Sequence, residues 1–92
     1  MSLPVIKNLQ VNIVESLKRW TLNFTDIVEN NNKFYNAEVV KADDGKYYLY
    51  TVYGRVGASG AKEYRACDSQ SHAETEGEKI IKSKTKKGYV EV

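Results

Sequence analysis

Tyr53-Gly54-Arg55 closes a tyrosine-rich run that opens at Tyr47-Tyr48-Leu49-Tyr50 and gives way to Gly57 and Gly60. Side chains two apart along a strand point the same way, so Tyr53 and Arg55 are expected to share a face. An aromatic ring beside a planar, permanently charged guanidinium suits a flat or anionic partner such as a nucleotide or its phosphate. Gly54 has no β-carbon, so either a ligand backbone approaches closely there or the chain turns sharply. The competing reading is a hairpin corner whose Tyr and Arg merely cover a sheet edge.

Other chemistry is sparse. His72 is the only histidine and Cys67 the only cysteine. Their short separation across a turn promises neither the third group nor the hydrogen-bond geometry of a nucleophilic pair. A buried strand-end Cys67 and a first-turn helical His72 are expected instead. No cluster of Cys, His or carboxylates has metal-ligand spacing, and Asp43-Asp44 belongs to a turn. The glycines at 54, 57 and 60 lead into a strand, whereas a dinucleotide or phosphate loop leads into a helix. No catalysis, cofactor, metal or small-molecule substrate is expected.

The elements that must position Tyr53 and Arg55 fit one small domain, since 92 residues support a single core. No apolar run approaches the ~20 residues of a membrane span, and no signal peptide opens the chain. The lone cysteine fits a reducing, cytoplasmic setting. Residues 1–19 are expected to form an N-terminal extension, either a helix or an extra strand: Leu9, Val11 and Ile13 alternate, while Ile13, Leu17 and Trp20 have helical spacing. From Trp20 the period is two, with Trp20, Leu22 and Phe24 on one side and Trp20 as a core anchor. Asn30-Asn31-Asn32-Lys33 reads as a turn. Phe34 to Lys41 resumes as a strand with Tyr35, Ala37 and Val39 on one face. Asp43-Asp44-Gly45 is a hairpin signal, Tyr47 to Val56 the strongest strand, Gly57 to Gly60 a turn, and Lys62 to Cys67 a strand pairing back.

Ser71 with Glu74 reads as a capping box. The helix it opens should run from about His72 to Lys87, with Ala73, Gly77, Ile80, Ile81 and Lys84 along one helical stripe and Gly88 as its stop. Net charge is +2, which does not by itself indicate nucleic acid. Lys79, Lys82, Lys84, Lys86 and Lys87 nevertheless crowd this helix's end, behind Glu74, Glu76 and Glu78. Acids at the start and bases at the end suit the helix dipole. The expected class is α+β: a small antiparallel sheet of about four to five strands with one C-terminal helix packed on it.

Three separated motifs resemble the WGR domain in order and spacing: Asn30-Asn31-Asn32-Lys33-Phe34-Tyr35, Tyr53-Gly54-Arg55-Val56-Gly57 with Gly60, and Ala73 with Lys84-Thr85-Lys86-Lys87-Gly88-Tyr89. The likeness covers residues 20–92 as one domain. It implies a non-catalytic nucleic-acid-binding module of the kind found in DNA-damage-responsive poly(ADP-ribose) polymerases and in small bacterial proteins. There the domain binds DNA at breaks, reaching the 5′ end. Carried over, the resemblance makes Arg55 the central phosphate contact and places Tyr53 where the family has tryptophan, with Gly54 between them. Asn32 and Lys33 match its Asn-Lys turn near the DNA backbone, and Lys86, Lys87 and Tyr89 a basic rim. Gly77 stands where the resemblance expects an aromatic residue. The expected partner is DNA, 5′-phosphorylated ends included. The alternative is a protein–protein interaction module that receives another protein domain on the same Tyr/Arg face.

Overall fold

A computed structural model describes residues 4–92, so the first three residues of the expected extension lie outside it. Five strands form one antiparallel sheet: β1 (Ile13–Asp26), β2 (Asn31–Ala42), β3 (Tyr47–Arg55), β4 (Ala61–Cys67) and β5 (Val90–Glu91). A single helix, α1 (Gln70–Lys86), sits between β4 and β5, and the strand order is β4-β3-β2-β1-β5. The expected α+β class holds. The three hairpins place sequential strands side by side, and β5 returns from the helix to the far edge of β1. The helix is not long and apolar enough to cross a membrane.

Alternation on β1 to β3 fills one face with Trp20, Leu22, Tyr35, Ala37, Val39 and Leu49, and α1 covers them with Ala73 and Ile81. The opposite face carries a second, smaller cluster of Val40, Ala42 and Tyr48. Ile6, Leu9 and Val11 lie over it, so the segment ahead of β1 is an irregular covering strap. Within residues 4–12 there is neither helix nor full strand; Ile6 makes one antiparallel bridge with Tyr64 at the β4 edge. Residues 13–19 are continuous with the rest of β1.

The structure corrects two boundaries. The turn expected at Asn30–Lys33 falls earlier, over Ile27 to Asn30, and β2 already begins at Asn31. Asn30 alone takes the left-handed conformation, with φ 55°, and the Asp26 carboxylate caps the turn by accepting from the Glu29 amide at 3.1 Å. Three asparagines in a row masked which one bends. The helix likewise starts two residues early: Ser69 is the N-cap, its hydroxyl accepting from the His72 amide at 3.1 Å. Ser71 lies inside the first turn, no capping box forms, and no acid occupies that turn. The glutamates sit beyond the reach of the positive dipole end, which fades within one turn. Lys84 and Lys86 do occupy the last turn as expected.

Gly77 is a packing requirement. A β-carbon there would stand 2.6 Å from two ring atoms of Trp20, which is only 7% exposed. The indole occupies the space that a side chain at position 77 would otherwise fill. The helix axis therefore approaches the sheet closely at this point, and Trp20 is the core anchor expected from its place in the strand pattern.

Candidate functional site

Register places the site residues. Across β2 and β3, Tyr35 opposes Tyr53 and Lys33 opposes Arg55. Directly opposed residues share a face and lie about 4.5–5.5 Å apart at their β-carbons. Tyr53, Arg55 and Lys33 therefore lie together on the helix-bearing face, at the end where the sheet emerges from under the helix. Arg55 and Lys33 are exposed, so two cations stand side by side in open solvent. The Arg55 guanidinium donates through Nη2 to Asn31 Oδ1 at 2.9 Å and makes no ion pair among the described residues. A neutral acceptor orients the group without neutralising it, so its remaining donors stay available to an anion.

Tyr53 is half-buried, and its surroundings differ from an outward-facing platform. One ring face stacks on Tyr35 with centroids 5.4 Å apart and planes 18° from parallel. Its hydroxyl donates to Glu63 Oε2 at 3.2 Å. Its partner on β4 is Ala61, a small side chain. The neighbouring Tyr35 ring in turn receives Lys84 of the helix, whose Nζ stands 4.8 Å from its centroid. Burial, with the charge of Lys87 adding to it, holds the Lys84 ammonium below the ordinary lysine value.

Gly54 points to the other face, opposite Phe34. A β-carbon there would come within 3.1 Å of Gly60 Cα, and one on Gly60 would press on the Tyr53 carbonyl at 2.7 Å. Both glycines let the β3–β4 loop fold tightly onto the strand that carries Arg55. Their role here is internal packing.

Asn32 is exposed, but alternation turns it to the face away from Lys33 and Arg55; its carbonyl accepts from the Val56 amide at 2.9 Å. The asparagine that meets Arg55 is Asn31, which the sequence reading passed over. The signal was present, since 31, 33 and 35 share a face once β2 is extended back by three residues from Phe34. Tyr89 is half-buried, its ring 5.3 Å from Phe24 and edge-on to Tyr35 at 6.4 Å, so it pins the chain end to the sheet. It thereby brings the helix end, with exposed Lys86 and Lys87, to the same end of the sheet as Lys33 and Arg55.

Cys67 is buried, and its thiol donates to the Arg65 carbonyl at 3.5 Å. Burial pushes that thiol up, away from the thiolate a nucleophile needs. His72 Nδ1 instead accepts from the Asp68 amide at 3.1 Å. Among the described residues no group of three or more His, Cys, Asp or Glu is placed to hold a metal ion.

The family model for the WGR domain matches residues 18–92. Among curated proteins, poly [ADP-ribose] polymerase 1 of Caenorhabditis elegans is 30% identical over 77 residues, which is 82% of this chain and 8% of that protein. Human protein mono-ADP-ribosyltransferase PARP3 is 32% identical over 71 residues, 77% of this chain and 13% of that protein. Poly [ADP-ribose] polymerase 2 of Arabidopsis thaliana is 48% identical over 40 residues, 42% of this chain and 6% of that protein. The chain thus spans only a small part of the length of these relatives. No solved structure matches it.

Proposed function

Because the chain belongs to the WGR domain family, we propose that it is a non-catalytic nucleic-acid-binding module that recognises DNA ends or breaks through phosphate and terminal-nucleotide contacts. One observation supports this above the rest: Arg55 and Lys33 stand exposed and side by side, with Arg55 oriented by the neutral Asn31. Two adjacent exposed cations with no carboxylate partner among the described residues form a local positive spot that favours an anion, and a phosphate accepts a guanidinium's paired donors. Tyr53, only half-buried, lies two residues from Arg55 along the strand, where its exposed part offers a terminal sugar or base a surface to pack on. Lys86 and Lys87 extend the positive surface along the DNA backbone. Such contacts do not read base edges, so sequence preference is weak.

The test is an equilibrium titration of labelled duplexes, nicked or 5′-phosphorylated at the end against intact, at two salt concentrations. Wild-type protein is expected to favour the broken duplex, with a log–log salt slope of about −3 for three to four phosphate contacts. Arg55→Ala removes a charge-assisted bond and is expected to weaken binding about 10-fold or more. Equal binding to both duplexes, or an unchanged affinity for Arg55→Ala, would contradict the proposal. If Arg55→Ala instead disrupted a protein complex and left DNA affinity untouched, the face would be a protein-docking surface.

A further inference from the structure

Tyr53 is held from outside the matched domain. The bridge between Ile6 and Tyr64 is closed by two backbone hydrogen bonds, Ile6 N to Tyr64 O at 2.7 Å and Tyr64 N to Ile6 O at 2.9 Å. In an antiparallel pair that register sets the next residue of the strap, Lys7, opposite the preceding residue of β4, Glu63. Lys7 Nζ meets Glu63 Oε2 at 2.9 Å. The same carboxylate oxygen accepts the Tyr53 hydroxyl at 3.2 Å, while Oε1 is held by Arg65 Nη2 at 3.3 Å. Arg65 is anchored in turn on Thr51 Oγ1 at 3.3 Å. Glu63 is diagonal to Tyr53 across β3 and β4, within reach of a long side chain.

We propose that Lys7 and Glu63 are positioning residues for Tyr53: the strap ahead of the domain fixes the Glu63 carboxylate, which fixes the phenol beside Arg55. This rests on the reading of the Tyr53/Arg55 face as the nucleic-acid contact. The chemistry is specific to a tyrosine, because its hydroxyl must find an acceptor when half-buried, and Glu63 is the one it has. A carboxylate held on two sides by cations has a defined place, so the ring it accepts from has one too. With Lys7 gone, Glu63 keeps Arg65 as its one cation beside the Tyr53 hydroxyl and is freer to swing away. Lys7 lies before residue 18, where the family match begins, so the strap adds a support that the matched residues do not contain.

The experiment is a double-mutant cycle on binding to the 5′-phosphorylated nicked duplex, using Lys7→Ala, Tyr53→Phe and the double variant, with Lys7→Arg as rescue and Arg55→Ala as control. Tyr53 ring signals in NMR spectra of the free proteins are recorded in parallel. Lys7→Ala and Tyr53→Phe are each expected to weaken binding about 3- to 10-fold, the double variant no more than either, and Lys7→Arg to restore wild-type affinity. Multiplying effects would make Lys7 an independent phosphate contact and overturn the proposal, as would an unchanged affinity for Lys7→Ala when Arg55→Ala binds weakly. If wild-type protein binds no duplex, the functional reading fails and the ring signals decide the positioning. A shift of the Tyr53 signals on Lys7→Ala with those of Tyr89 unmoved supports it, and unmoved Tyr53 signals overturn it.

Discussion

Each residue of the site draws its properties from one neighbour more than from its own chemistry. The charge of Arg55 is left without a counter-charge by its hydrogen-bond partner, because Asn31 is neutral. Tyr53 is tethered because the hydroxyl has Glu63 within reach and the ring has Tyr35 beneath it. Gly77 matters for what it leaves out. Alanine there would improve helix propensity by about 1 kcal/mol, but its β-carbon would lie 2.6 Å from a rigid indole held on the sheet. Overpacking of this kind costs about 1–3 kcal/mol, so the clash wins. Gly77→Ala is expected to lower the melting temperature by roughly 4–8 °C per kcal/mol of net loss, as read by calorimetry. A more stable Gly77→Ala protein would show that the Trp20 ring moves aside readily.

Element boundaries follow from which side chain satisfies a backbone group, and composition alone leaves neighbours of the same type undecided. Ser69 and Ser71 are both acceptable caps; the structure selects Ser69, because the chain leaving β4 at Cys67 turns within two residues and offers its hydroxyl to His72. Ser69→Ala should therefore cost about 0.5–2 kcal/mol, and Ser71→Ala much less. Chemical denaturation of the two variants separates them, and the reverse ranking would move the cap back to Ser71. The same ambiguity governs the asparagine run, where Asn30 supplies the left-handed turn and Asn31 is already paired opposite Asp26 in the ladder. The turn falls three residues earlier than expected, yet the strand pattern from Phe34 onward was read correctly, because alternation there is carried by the strand's own residues and not by where the turn ends.

At the scale of the whole molecule, the long β1–β2 hairpin sets the shape. The principal extents are 45 × 23 × 23 Å, and 14 strand residues in β1 at ~3.3 Å each account for the length. Glu63 links the strap through Lys7, β3 through Tyr53 and β4 through Arg65, so its ionisation bears on global stability. The hydrogen bond from Lys7, with the charges of Lys7 and Arg65, holds Glu63 below the usual carboxylate value. A depressed folded value means that the stabilisation is complete above the unfolded value of about 4.3 and is lost as pH falls through the folded one. Stability measured against pH should therefore fall through the acid range below about pH 4, and less steeply in Glu63→Gln. Identical acid limbs for the two proteins would remove Glu63 from the linkage. Most of the architecture was legible from residue order: period-two alternation, turn glycines and a late helical stripe are local signals, and local signals suffice for sheet, helix and the shared face of Tyr53 and Arg55. What only tertiary structure decided is what meets across the chain. Asn31 rather than Asn32 reaches Arg55, Trp20 fills the space above Gly77, and Lys7 reaches Glu63 from 56 positions away. Those pairings arise from strand register and from the closeness of helix to sheet, which are set by the balance of all contacts at once and leave no mark in any short stretch of residues.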